Sequence, residues 1–483
     1  MRSEEWRPNP HSNVPIYKQI GAYIKEKISY GEWPVGYRLP PERTFAKQLG
    51  VNRSTIATAF AELAAEGLIE GRRGSGTRVI NNTWTLLAAA RPPDWSAYVE
   101  AGIHRPNLSM IQRINREEFT PGIIRLGTGE IAPDMFPTQM MQRVLTQTAT
   151  ELPAFGYEEP QGLYGLREAI GQYVASFGIQ AAPSSILVVS GALQALHLIS
   201  VGLLPQEAAV LLEKPSYLYS VRVFQSAGMR LAGIPEMDNV ADVSSLLSYS
   251  RRKYGASLLY TIPTFHNPTG RLMSEETRRN VLGVCEQERL PVIEDDVYGE
   301  LWLDEPPPVP LKARDKSGLV LYIGSLSKTL SPGLRIGWII GPAPVIQRLA
   351  DIKMQTDYGS SSLSQWTARE WLVSGLYEEH LIQTRQTLRI RRERTIEALN
   401  RHMRGIAEWK TPEGGFYIWL RLLPEVSLSR LFDEALRYGI LLNPGTIYHP
   451  EERDHLRLSY AYASLSEIEE GIQRLSLLIK ELA

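Results

Sequence analysis

Ser325-Leu326-Ser327-Lys328-Thr329-Leu330-Ser331-Pro332-Gly333-Leu334-Arg335 is the stretch whose reading decides the fold. A lysine amine condenses with an aldehyde to a Schiff base, and pyridoxal phosphate (PLP) is the commonest aldehyde cofactor held that way. Ser325 and Ser327 precede the lysine and Arg335 follows it, so hydroxyls and a guanidinium can hold a phosphate near the same carbon. Taken alone, the run also describes a solvated Pro-Gly loop. Two upstream segments decide between these readings. Asn267-Pro268-Thr269-Gly270 and Asp295-Asp296-Val297-Tyr298 stand in the order and spacing that a PLP site needs.

Short β-branched runs place these segments. Ile186–Val189, Ala209–Leu212, Ser257–Tyr260, Val292–Glu294 and Val320–Ile323 read as buried strands with helices between them, the pattern of a mainly parallel α/β sheet. Ligands in such sheets bind beyond the carboxyl ends of the strands, and each candidate residue falls there. Ser190-Gly191-Ala192-Leu193 ends a strand and opens a helix, where the amides of Ala192 and Leu193 can hold a phosphate. Asn267 can donate to a phenolate oxygen, Tyr298 can hydrogen-bond the same oxygen, and Tyr217 can stack on a ring. Asp295 can keep a pyridine nitrogen protonated. Arg457, in Leu456-Arg457-Leu458-Ser459-Tyr460, can clamp a carboxylate bidentately and is expected to touch only that ligand. The Glu294-Asp295-Asp296 run has no histidine nearby, so no metal is expected.

At 483 residues the chain exceeds one ordinary core, and two or more domains are expected. One cysteine, Cys285, excludes an intramolecular disulfide and fits a reducing, cytoplasmic setting. The start carries acidic residues and no apolar core, unlike a secretory signal. The apolar stretch Ile186–Leu204 is interrupted by Ser190, Gly191, Gln194, His197 and Ser200 and reads as strand-turn-helix rather than a membrane span. The net charge of −1 conceals an asymmetry: residues 1–82 hold 12 Lys+Arg against 8 Asp+Glu, and the remainder is net acidic. A basic small module on an acidic large one suits nucleic-acid binding by one end.

That module reads as a helix-turn-helix with a β-hairpin wing. Ile16, Ile20, Ile24 and Ile28 form a helical stripe over 14–30. Pro41 opens a second helix to Leu49, and Gly50-Val51 turns the chain. Asn52 or Ser54 caps a third helix to about Glu66, with Ile56, Phe60 and Leu63 inward. Two short strands, 67–70 and 77–80, flank Gly71-Arg72-Arg73-Gly74-Ser75-Gly76. Arg53, Ser54 and Thr55 occupy the helix start that enters a major groove, with Arg43 on the preceding helix and Arg73 and Gly74 at the wing. Residues 81 to about 120 carry no sustained period and read as a linker, with Trp84, Trp95 and Tyr98 docking parts of it on a surface.

The run Leu39-Pro40-Pro41-Glu42-Arg43 with Leu49-Gly50-Val51-Asn52-Arg53-Ser54-Thr55 closely resembles the winged-helix domain of the GntR family of bacterial regulators. The resemblance implies that Arg43, Arg53 and Thr55 contact DNA, with Arg73 and Gly74 at the wing. Some members carry arginine where this chain has Ala57, which implies different base contacts. Residues 122–483 resemble the fold-type I, class I/II aminotransferases. By that resemblance Lys328 carries the internal aldimine, Asp295 pairs with the pyridine nitrogen, and Asn267 and Tyr298 hold the phenolate. Ser325, Arg335 and the amides of Ala192 and Leu193 bind the phosphate, Tyr217 stacks on the ring, and Arg457 binds the effector carboxylate. Tyr157 matches a tyrosine that reaches the partner subunit's phosphate. At Ala192-Leu193 many relatives carry a hydroxyl or glutamine, which implies weaker phosphate binding here.

The whole chain is similar to the MocR/GabR subfamily. The expected architecture is α/β: a winged helix-turn-helix over 1–80, a linker over 81–121, and a PLP-dependent transferase body over 122–483. The resemblance implies a head-to-tail homodimer on operator DNA. Its expected function is transcriptional regulation, with an amino acid or related amine sensed by aldimine exchange at Lys328 and with weak or no transaminase turnover. Two rivals remain: a working aminotransferase with an accessory DNA-binding module, and a DNA-binding protein whose body is only a dimerisation scaffold. A scaffold has no need of Lys328, Asp295 and Asn267 together.

Overall fold

The computed structural model describes residues 6–72, 76–82, 95–102, 104, 106–152, 154, 156–239 and 241–483, without the side chains of Arg72, Ser96 and Asn239. The chain divides into two compact units, Met1–Gly102 and Ile103–Ala483.

In the first unit, helices Ile16–Ser29, Glu42–Leu49 and Arg53–Ala65 are followed by the antiparallel hairpin Ile69–Arg72 and Gly76–Val79. Ile20, Ile24 and Ile28 meet Phe45, Leu49, Ile56, Phe60 and Leu63 in one core, closed from the hairpin by Ile69 and Val79. Pro41 has φ −55° and ψ 141°, so it precedes the second helix instead of opening it. Gly50, at φ +67°, ends that helix in the left-handed region that glycine adopts without strain. Asn52 takes the N-cap position of the third helix but makes no side-chain capping bond, contrary to expectation. The wing strands lie within two residues of their expected places. Arg73, Gly74 and Ser75 lie outside the described residues.

The segment read as a linker contains two helices. Trp95–Ala101 belongs to the first unit; its Trp95 and Tyr98 are exposed, so neither docks within that unit. Trp84 lies outside the described residues. Ser109–Glu117 belongs to the second unit, where Ile114 is buried in the core and Arg113 pairs with Asp433 at 2.7 Å. Helices of 7 and 9 residues leave too few apolar positions to establish a period.

The second unit is built on a seven-stranded sheet in the order Ile186–Val189, Gly337–Ile340, Val320–Ser325, Val292–Asp295, Ala256–Thr261, Ala209–Glu213, Arg230–Ile234. Every pairing is parallel except those of Gly337–Ile340, which runs antiparallel to both neighbours. The five expected strands are present. Gly337–Ile340 and the edge strand Arg230–Ile234 were not read from the sequence. The former has four residues after a Pro-Gly-Leu-Arg loop, and the latter alternates half-buried and buried positions. A four-stranded antiparallel sheet, including Tyr417–Leu422 and His455–Ser459, follows the 27-residue helix Leu376–His402 and brings Arg457 to the site. Among the described residues no helix is long and apolar enough to cross a membrane.

Candidate functional site

The carboxyl ends of the central strands border a cavity of ≈510 Å³ in the second unit. Lys328, Asp295, Asn267, Tyr298, Ser325, Arg335, Tyr217, Ala192, Leu193 and Arg457 all line it. Residues distant in sequence converge because consecutive crossovers return each parallel strand to the same edge of the sheet.

Lys328 lies in the turn after Val320–Ser325, and its Nζ donates to the Gly129 carbonyl at 2.6 Å. Asp295 ends its strand and is 3% exposed; its Oδ2 accepts from the Tyr260 hydroxyl at 2.7 Å. Burial pushes the Asp295 pKa up to about 6, against the Tyr260 hydrogen bond and the Lys328 charge. Tyr217 is half-buried, and desolvation raises its phenol above the ordinary range. Tyr298 shares a 2.9 Å hydroxyl–hydroxyl hydrogen bond with Tyr417.

The phosphate-type groups gather at one end. Gly191, at φ +89°, precedes the helix Ala192–Gly202. A Cβ there would stand 2.7 Å from Arg335 Nη2, which donates to the Ser190 carbonyl at 2.6 Å. The glycine therefore lets the guanidinium reach the strand end beside the amides of Ala192 and Leu193. Ser325 Oγ donates to the Ile336 carbonyl and accepts from the Ser327 amide, both at 3.1 Å.

Arg457 differs from expectation. Its Nη1 donates to Asn267 Oδ1 at 2.9 Å and its Nη2 to the Gly127 carbonyl at 2.6 Å, while its guanidinium lies 4.1 Å from the Tyr417 ring centroid. It therefore orients Asn267, the residue read as a phenolate ligand, as well as facing the cavity. Tyr157 does not line this cavity. It is 83% exposed, with its ring 4.9 Å from that of Tyr358.

Tyr260, Tyr417, Tyr448, Gly127 and Gly129 were missed by sequence reasoning. A Cβ on Gly127 would meet the Asn443 amide, and one on Gly129 the Tyr417 hydroxyl, so both positions present bare carbonyls. The Gly127-Thr128-Gly129 pair after a short strand was the available signal. No metal was expected; Glu452, Asp454 and His455 nonetheless bring three ligand-type atoms within 4.8 Å of one another, away from the cavity.

Three buried polar atoms of the cavity residues have no hydrogen-bond partner among the described residues: Asp295 Oδ1, Ser327 Oγ and Arg457 Nε. Leaving such groups unmet costs about 1–3 kcal/mol each. A carboxylate, a hydroxyl and a guanidinium open around one amine fit a flat, phosphorylated, basic heteroaromatic aldehyde. Asp295 would meet its ring nitrogen, Lys328 its aldehyde, and Ser325, Arg335 and the Ala192 and Leu193 amides its phosphate.

The pH dependence of Asp295 is testable. Its carboxyl rises from 3.8 to about 6 on folding, so the fold favours the protonated acid. That contribution is complete below about pH 4 and lost as pH rises through about 6, a change of about 3 kcal/mol. Asp295→Asn should flatten this part of the melting-temperature profile of cofactor-free protein while weakening cofactor binding. A mutant profile that falls as steeply as wild type would refute it.

In the first unit, Arg43, Arg53 and Ser54 are exposed and Thr55 is half-buried at the start of the third helix. Arg53, 70% exposed, pairs with Glu42 at 3.0 Å.

Residues 121–475 match the family of aminotransferase class I and II, which is PLP-dependent, and residues 16–79 match the gntR family of bacterial regulatory proteins. The chain is 54% identical over 470 residues to the uncharacterized HTH-type transcriptional regulator YdfD of Bacillus subtilis (strain 168), covering 97% of each chain. It is 32% identical over 455 residues to the HTH-type transcriptional regulator NorG of Staphylococcus aureus (strain N315), covering 92% of this chain and 100% of the relative. Among solved structures it resembles the kynurenine aminotransferase of Pyrococcus horikoshii, in complex with PMP. The TM-score is 0.74 at 30% identity, over 82% of this chain and 99% of the other.

Proposed function

The chain belongs to the MocR-type transcriptional regulators, in which a gntR-family head is joined to an aminotransferase class I and II body, and on that premise we propose that it senses a small amino compound through PLP held at Lys328. The observation that carries this reading is the convergence of Lys328, Asp295, Asn267, Ser325, Arg335 and Arg457 on one cavity in a chain that also has a gntR-family helical head with its β-hairpin. We further take residues 1–80 as the DNA-binding module, 81–121 as the connection and 122–483 as the sensing and dimerisation body, acting as a head-to-tail homodimer in the cytoplasm.

Bound in the cavity, PLP supplies an aldehyde that primary amines attack and a ring that withdraws electrons. The side chains do the rest. The Gly129 carbonyl holds Lys328 Nζ at one position, and Asp295, charged beside the ring nitrogen of a bound cofactor, would keep that nitrogen protonated. Asn267, fixed by Arg457, would present its amide nitrogen to an oxygen on the ring, and Arg457 Nε, without a partner among the described residues, would donate to a ligand carboxylate. Regulation requires only that the ligand bind two arrangements of the body unequally. In this reading Tyr157, exposed in one protomer, reaches the partner's phosphate group.

A screen of amino acids tests the proposal, with cofactor absorbance and operator affinity followed together. An effector should change both over the same concentration range, with slow or absent conversion to a keto product. Rapid multiple turnover with an amino donor and a keto acid, with DNA affinity untouched by every ligand, would decide for a working aminotransferase. Arg53→Ala should weaken operator binding by about 1–3 kcal/mol and relax sequence preference. Arg73→Ala should weaken all sequences more evenly, and binding should fall steeply with salt. Unchanged DNA affinity in both variants would remove the proposed contacts.

A further inference from the structure

Behind the Lys328 cavity lies a second cavity of ≈590 Å³ in the same unit, and Val297 and Ser325 border both. The adjacent residues Asp295 and Asp296 face different cavities, Asp295 the first and Asp296 the second, as alternating side chains of extended backbone do.

Asp296 Oδ2 accepts from the Tyr322 hydroxyl at 3.1 Å, but its buried Oδ1 has no hydrogen-bond partner among the described residues. Trp338, 2% exposed, lines the same cavity, and its Nε1–H is equally unmet. Trp338 lies against Gly324, where a Cβ would strike its indole, so the position of the ring is built into the sheet. A buried open acceptor and a buried open donor on the wall of one cavity cost about 1–3 kcal/mol each unless a ligand meets them. The walls are aromatic, with Tyr173, Phe177, Tyr322, Trp338 and Tyr377 contributing. Among the described residues, Asp296, Glu300 and Glu378 are its acidic side chains and Arg385 its one basic side chain. Arg385 is committed to Glu300 at 3.2 Å and to the Trp302 ring at 4.4 Å, so no basic side chain of the lining pairs with Asp296, and Arg278 acts on it only from outside the lining.

We propose that this cavity is a second small-molecule site for an organic ammonium ion carrying a hydroxyl oxygen, with the cation at Asp296 among the aromatic rings and the oxygen accepting from Trp338. Rings and a carboxylate together recognise such cations, and a cavity of this volume accommodates one with its substituents. Burial, with Glu294 behind it, pushes the Asp296 pKa up against the nearby Arg278 charge, and an ammonium at Oδ1 favours the charged form. An amino acid carboxylate is disfavoured here and favoured at Arg457, so the two cavities select different chemistry. The proposal stands independently of the regulator reading.

Choline is the probe, because its quaternary nitrogen cannot condense with an aldehyde and so cannot occupy Lys328 covalently. Isothermal titration of the full-length, cofactor-bearing protein should show saturable choline binding. Asp296→Asn keeps the side-chain shape and should weaken it about tenfold or more. Ile382, on the lining and 52% exposed, allows a second variant that spares the core. Ile382→Arg should weaken binding by about fivefold through like-charge repulsion. Absence of saturable binding overturns the proposal, and so does binding undiminished in both variants. Choline binding lost in Arg457→Ala but retained in Asp296→Asn would place the ligand in the other cavity and overturns it equally.

Discussion

Lys328→Ala should give a folded protein with no visible absorbance from covalently held cofactor. The side chain sits in a half-buried turn, and its one hydrogen bond is to the Gly129 carbonyl, so truncation should cost about 1 kcal/mol of stability. The loss of covalent attachment, by contrast, should be complete, because among the described residues no other lysine lines the cavity. Lys353 is the other chemically unusual lysine. It is 0% exposed, its Nζ is unpartnered among the described residues, and burial lowers its pKa. It lies on the helix Ala343–Thr356 and does not reach the cofactor cavity, so its low pKa gives it no role in attachment. Spectra before and after borohydride reduction and denaturation, with a thermal melt as the folding control, decide the matter. Cofactor absorbance that survives both treatments in Lys328→Ala would show that the attachment lies elsewhere. Basal DNA binding should persist in this variant, while the normal effector response is lost.

Arg457→Ala should abolish the response to carboxylate effectors and also destabilise the body. A side chain that met only the ligand would leave the cofactor site intact. The geometry predicts otherwise, since truncation strips charged donors from Asn267 Oδ1 and the Gly127 carbonyl, both buried in the site. Two buried acceptors left unmet cost about 1–3 kcal/mol each, and the space beside Tyr417 and Tyr448 adds to that. A fall in melting temperature of several degrees should therefore accompany weaker cofactor binding through the released Asn267. Arg457→Lys keeps the charge but not the fork, and should restore part of the stability with little of the carboxylate response. Full effector response and unchanged melting in Arg457→Ala would remove both roles.

Neighbours along the chain set the parts of this protein that could be read from its residues alone. The isoleucine stripe of the first helix, the Gly50 turn and the five buried strands follow from local periodicity and turn chemistry. Ligands in a parallel sheet bind beyond its strand ends, so the placement of Lys328, Asp295, Asn267 and Arg335 around one cavity was legible. Tertiary structure alone decided which residues face one another across long separations. Arg457 and Asn267 are 190 residues apart, and only the order of strands and the second sheet brings the guanidinium onto that amide. Tyr260 reaches Asp295 across 35 residues because their strands are neighbours in the sheet. The helix Ser109–Glu117 has too short an apolar stripe to be read from the sequence, and it exists where Asp433 and the core receive it. Local sequence sets φ, ψ and the face an element buries; pairing across the sheet sets which polar atoms find partners and which stay open for a ligand.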